Sequence, residues 1–217
     1  MSFDAVLFDL DGTLVTRTQD IDAAYTAAFE RAGCSPFGEP PELWAALDGP
    51  PDPEDQVGYL GAGFARLAAQ HGRTVDPLTL AEAFVAGIDN GQVTLREGAS
   101  RALASARAAG AVGVLTNGPE SRQAAKVDAV GLSVPSLVYA GDMPRRKPHA
   151  APFRAALEPL DVSPERALYV GDSLAYDVAG AHNASLAAAW LADGEGPEPY
   201  HPEYVIESLA ELPAILE

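Results

Sequence analysis

Four apolar residues, Ala5-Val6-Leu7-Phe8, run directly into Asp9-Leu10-Asp11-Gly12. A short apolar run closed by glycine reads as a buried strand that stops at a turn. Side chains alternate along extended backbone, so residues 9 and 11 face one way and Leu10 the other. Two carboxylates meeting at a strand end repel each other unless a cation, a shared proton or unequal surroundings separates their roles. The carboxyl ends of strands are where open α/β sheets bind ligands. A paired-acid site at the end of a buried strand is therefore the first expectation, and it restricts the fold to a sheet that can present such an end.

The rest of the chain supplies that sheet. From residue 97 onward, helical and apolar extended stretches alternate. A helix over 98–109 leads to a strand at Val112–Thr116, a helix over 120–130 stops at Gly131, and strand-like runs recur at 137–140, 167–171 and 186–191. Such alternation predicts a mostly parallel sheet with right-handed crossovers. Between residues 16 and 92 there is no convincing strand. Helices are expected there at about 20–33, 42–47, 54–70 and 77–88, with a Pro/Gly-rich stretch over 35–53. The fold class is α/β: a Rossmann-like parallel-sheet core, residues 1–15 and 93–217, with an inserted α-helical cap, residues 16–92.

Charge narrows the function classes. The 217 residues carry 31 acids against 14 bases, a net charge of −17. That balance disfavours nucleic acid and anionic membranes as partners. No apolar run has the ~18–20 residues a membrane span needs. The first apolar stretch is interrupted by acids and does not read as a secretory leader, so a cytoplasmic location is expected. One cysteine, Cys34, rules out an internal disulfide and fits a reducing compartment. Only Lys126 and Lys147 are lysines. A GC-rich genome, which favours Arg over Lys, would explain the scarce lysine but not the acid surplus; that surplus points to adaptation to a salt-rich cytoplasm, where screening relieves self-repulsion.

Three further features fall at strand ends or loops: Thr116-Asn117-Gly118, the lone Lys147 before Pro148, and Gly171-Asp172-Ser173 with Asp177 five residues after Asp172. With DLDGT, LTN, Lys-Pro and GDSLAYD in that order, the core of the chain resembles the haloacid dehalogenase-like hydrolases. One such motif is weak, and four in order are specific.

The resemblance implies roles at the matching positions. Asp9 would be a nucleophile forming an aspartyl-phosphate, and Asp11 the acid for the leaving alcohol and then the base for water. Mg²⁺ would be held by the Asp9 carboxylate, the Asp11 backbone carbonyl and Asp172, an oxygen donor set that suits the ion. Thr116 and the Asn117 backbone N–H would hold phosphoryl oxygens, Lys147 would neutralise charge on the phosphoryl group and Asp9, and Asp177 would orient the metal surroundings or Lys147. Members that cleave carbon–halogen bonds lack an acid at the position of Asp11, because halide leaves without a proton. The expected activity is thus hydrolysis of a small-molecule phosphate ester. A phosphomutase returning the phosphoryl group to a sugar, and a non-catalytic metabolite-binding protein, stay open. A dinucleotide-binding protein is disfavoured, since no G-x-G-x-x-G follows the first strand. Substrate identity and oligomeric state are not readable. Trp44 and Trp190 are expected to be packing residues, with Trp44, in the cap, also placed where it could face a substrate; His149, His182 and His201 show no metal-ligand spacing, and His71 before Gly72 reads as a helix end.

Overall fold

The computed structural model describes residues 2–48, 55–192, 194 and 196–217. The end of the Pro/Gly-rich stretch and the expected start of the helix at residue 54 lie outside the described residues. The chain forms two compact units, Thr18–Gln92 and a second made of Met1–Arg17 with Val93–Glu217.

The Thr18–Gln92 unit is helical: α1 (Ile21–Arg31), α2 (Pro40–Ala46), α3 (Gln56–Gln70) and α4 (Pro77–Val85). Aspartates set three of its starts. Asp20, Asp55 and Asp76 accept hydrogen bonds from the backbone N–H of Ala23, Gly58 and Leu78 respectively, each satisfying a donor that the first helical turn leaves over. Phe29, Phe64, Leu43, Leu67 and Leu80 are fully buried in its core. Burial of each such side chain contributes roughly 1.5–3 kcal/mol. Trp44 packs against Phe84 with ring centroids 5.9 Å apart, yet keeps 42% of its surface exposed.

The other unit holds β1 (Ala5–Phe8), β2 (Val15–Arg17), β3 (Val93–Leu95), α5 (Ala99–Ala109), β4 (Ala111–Thr116), α6 (Glu120–Ala129), β5 (Ser136–Tyr139), α7 (Ala150–Leu157), β6 (Ala167–Gly171), α8 (Ala179–Asn183), β7 (Ala187–Leu191), β8 (Tyr204–Ile206) and α9 (Leu212–Leu216). Six strands form one sheet in the order β5-β4-β1-β6-β7-β8, all parallel. After β1 the chain builds outward on one side through β4 and β5, then crosses to the other side for β6, β7 and β8. The strand order therefore reverses at β1, and a crevice opens at the carboxyl ends of β1, β4 and β6.

Alternation divides the core into two layers. Val6 and Phe8 pack with Ala102, Leu103 and Ala106 of α5 and with Leu212 of α9. Ala5 and Leu7 face the other way, onto Phe153 and Ala156 of α7 and Ala181 of α8. Covering both faces is what makes β1 a continuous apolar run instead of an apolar–polar alternation.

The parallel sheet matches the reading of the sequence, and three short strands do not appear in that reading. β2 and β3 form an antiparallel ribbon with Val15 opposite Leu95, so extended chain continues to Arg17, where no strand was expected. β8 adds a sixth strand after β7. Each of these strands has three residues, too few to display a period-2 pattern, and each exists because a distant segment supplies its ladder partner. Among the described residues no helix is long and apolar enough to cross a membrane.

Candidate active site

Asp9 lies one residue past β1, and its N–H donates to Val170 O at 2.9 Å, so the carboxylate is still held by the sheet ladder. Thr116 is the last residue of β4 and Asp172 the first after β6. Asp9, Asp11, Thr116, Asn117, Lys147, Asp172 and Asp177 all line one cavity of about 230 Å³, together with Gly118, Ser173 and Tyr176. Every site residue expected from the sequence is brought to this one place by the order of the strands.

Lys147 sits at its buried centre. Its Nζ donates to Asp9 Oδ1 at 2.6 Å, Asp177 Oδ1 at 2.7 Å and the Tyr169 hydroxyl at 3.0 Å. An ammonium has three N–H donors, and these contacts use all of them. The Tyr169 hydroxyl in turn donates to Leu115 O at 2.9 Å. The Asn117 side chain fixes the lysine backbone at two points, accepting from Lys147 N at 2.9 Å and donating to Lys147 O at 3.1 Å. Burial alone would lower the proton affinity of Lys147, but the charges of Asp177 and Asp9 overcome it and hold the group above the ordinary lysine range. Burial, then the same two acids, also pushes the Tyr169 phenol well up.

The acids form a tight cluster. Asp9, Asp172 and Asp177 each offer a carboxylate oxygen within 4.8 Å of the others. Burial raises the proton affinity of Asp9 against the opposing pull of Lys147, and the charge of Asp177 adds to the rise. Asp172 is raised by burial first and by Asp177 second. One lysine does not balance three clustered carboxylates, so the cluster is short of positive charge. Its donors are all hard oxygens, the set preferred by Mg²⁺. Asp177 spends Oδ1 on Lys147 and Oδ2 on the Ser173 N–H at 2.9 Å. Asp172 accepts from Thr13 Oγ1 at 3.1 Å. Gly12 has φ +80°, and a Cβ built there would stand 2.3 Å from Asp172 Oδ2, so the turn that carries Asp11 requires glycine for both conformation and space.

Asp11 occupies different surroundings. Its side chain is 49% exposed, against 8% for Asp9. It is held by Lys126 Nζ, 2.7 Å from both carboxylate oxygens, and by Gln123 Nε2 at 2.7 Å. Neither residue is singled out by its local sequence. The available signal was scarcity: the chain has two lysines, and each contacts one member of the Asp9/Asp11 pair. Tyr169, inside an apolar strand, gave no signal at all.

The sequence profile of the haloacid dehalogenase-like hydrolases matches residues 3–185. The chain belongs to that family. This hydrolase is 33% identical over 209 residues to a phosphoglycolate phosphatase of Cereibacter sphaeroides, covering 90% of this chain and 88% of the relative. It is 30% identical over 238 residues to the pyrimidine 5'-nucleotidase YjjG of Escherichia coli, covering 100% and 99%. A family hydrolase from Deinococcus radiodurans, solved with bound phosphate and sodium, superposes with a TM-score of 0.71 at 28% identity, covering 99% of this chain and 95% of that one. Relatives named as phosphatases match along nearly their whole length, and this hydrolase is an enzyme of the phosphatase type.

Proposed function

We propose that this hydrolase is a Mg²⁺-dependent phosphomonoesterase that acts on a small soluble phosphorylated metabolite through an aspartyl-phosphate at Asp9. The observation that carries the reading is the unequal environment of the two aspartates. Asp9 is buried against Lys147, and Asp11 is half-exposed against Lys126 and Gln123. Two carboxylates placed in contrasting surroundings divide into nucleophile and proton carrier.

Asp9 attacks phosphorus and the ester P–O bond breaks, while Asp11 gives its proton to the departing alkoxide. Asp11, now a carboxylate, takes a proton from water as that water attacks phosphorus, releasing phosphate and regenerating Asp9. The cation of Lys147 offsets charge on Asp9 and the phosphoryl oxygens. Thr116 Oγ1 and the Asn117 backbone N–H receive phosphoryl oxygens, and the Asn117 side chain keeps the Lys147 backbone in place. Asp177 aims the ammonium. The Asp9 carboxylate, the Asp11 carbonyl and Asp172 would hold Mg²⁺, which would supply neutralisation of phosphoryl charge.

Relatives named for phosphoglycolate and for pyrimidine nucleotides support a small phosphate ester as substrate. We assign residues 1–15 and 93–217 as the catalytic core, residues 16–92 as the cap that selects the leaving group, and the cytoplasm as the site of action. The test is inorganic phosphate release from sugar phosphates, nucleotides, phosphoglycolate and 4-nitrophenyl phosphate, with Mg²⁺ or chelator. Release requires Mg²⁺ and disappears in a folded Asp9→Asn variant. Substantial turnover by that variant refutes the mechanism.

A further inference from the structure

Helix α6 places two polar residues, Gln123 and Lys126, three apart and therefore on one face, and both are buried. Lys126 Nζ lies 2.7 Å from each oxygen of Asp11. Gln123 Nε2 lies 2.7 Å from Asp11 Oδ2 and 2.6 Å from Thr116 Oγ1. A carboxylate only accepts, so the amide nitrogen faces it, and the two N–H groups of that nitrogen serve the two partners. Thr116 Oγ1 is then an acceptor toward Gln123 and keeps its own hydrogen to donate. Gly118 leaves room for this bridge, since a Cβ there would stand 2.5 Å from Gln123 Cδ.

Burying an ammonium is costly, and the exposed side of α6 would solvate one without penalty. Asp11, half in water, does not need a buried cation for its own solvation. What Lys126 and Gln123 add is orientation: three contacts from one rigid helix onto a carboxylate that solvent would otherwise let rotate.

We propose that Lys126 and Gln123 are positioning residues that hold the Asp11 carboxyl group at the leaving-group oxygen, receiving with these contacts the carboxylate that forms as Asp11 gives up its proton, and that Gln123 ties this orientation to the Thr116 hydroxyl. This rests on the acid–base reading of Asp11 given above. A leaving group that needs a proton feels any misorientation of Asp11, and one that departs as a stable anion does not. General acid–base catalysis is worth about 10²–10⁴-fold, and misplacement by about 1 Å can cost ~10²-fold. Lys126→Met therefore lowers kcat on phenyl phosphate by roughly 10–100-fold and on 4-nitrophenyl phosphate by a few-fold at most, with KM held within about twofold.

The experiment compares kcat and KM on those two esters at saturating Mg²⁺ for the parent, Lys126→Met, Lys126→Arg, Gln123→Met and Asp9→Asn, with thermal unfolding of each. Lys126→Arg recovers most of the phenyl phosphate rate, because a guanidinium also serves both carboxylate oxygens. Gln123→Met, which leaves Lys126 in place, shifts the ratio of the two rates in the same direction. Equal losses on both esters, no loss on either, or no recovery with arginine overturns the proposal. If Asp9→Asn retains turnover, the phosphatase mechanism falls and this inference with it. If Asp9→Asn is silent and the Lys126 variants show no dependence on the leaving group, this inference fails alone.

Discussion

Replacing each lysine in turn by methionine removes the same charge from nearly the same volume, so the two variants differ in the number and burial of the acidic partners left behind. Lys147 is 2% exposed and its acidic partners Asp9 and Asp177 are 8% and 2% exposed. Loss of the cation leaves both carboxylates beside Asp172 with no counter-charge, and breaking a buried pair from one side costs about 3–5 kcal/mol. For a chain of this size ~1 kcal/mol moves Tm by about 2–4 °C, so Lys147→Met lowers it by roughly 6–20 °C. Lys126 is also buried, at 8% exposed, but its partner Asp11 is 49% exposed and water takes over its solvation. Lys126→Met then costs about 1 kcal/mol or less. The assay is thermal unfolding by circular dichroism with chelator present, at pH 8 and pH 5. Asp9 and Asp172 bind protons more tightly folded than unfolded. The native state therefore holds more protons above the ordinary aspartate range, and stability falls as pH rises through that window. Without Lys147 the effect grows, so the Tm deficit is largest at pH 8 and shrinks at pH 5. Equal losses in the two variants, or a Lys147→Met deficit that does not change with pH, would refute the reasoning.

Gly12→Ala places a side chain at φ +80°, costing about 1–2 kcal/mol, and drives its Cβ against the Asp172 carboxylate. Mg²⁺ titration of phosphate release should show apparent affinity weakened about 10–100-fold, as for groups that orient a metal ligand; unchanged affinity would remove Asp172 from the metal set. Raising KCl from dilute buffer to about 1 M shortens the screening length from more than ~10 Å to ~3 Å and raises Tm, because the chain carries a net charge of −17. A Tm indifferent to KCl would show that surface repulsion is negligible in this fold.

Local sequence determined where the backbone changes direction and which groups stand there. The apolar run before Asp9, the turn at Gly12, and the strand ends at Thr116 and Gly171 are short-range patterns, set by alternation and by residues that tolerate turns. They put Asp9, Asp11, Thr116, Asn117 and Asp172 at or next to strand ends, and parallel strands carry those ends to one edge; Lys147, in a loop, and Asp177, in a helical turn, joined them only through the resemblance to the hydrolase family. Pairing across the chain is not written locally. The β2–β3 ribbon and β8 have no pattern of their own and depend on partners far along the chain. Which cation serves which carboxylate has the same origin. Lys126 reads as a solvated helical lysine until α6 docks with that face toward Asp11, and Tyr169 reads as strand filling until its hydroxyl meets Lys147. The sequence alone supplied the chemical groups and the strand ends that carry them; tertiary packing assigned their charges and hydrogen bonds, since burial and proximity are properties of the assembled sheet and helices and not of any one segment.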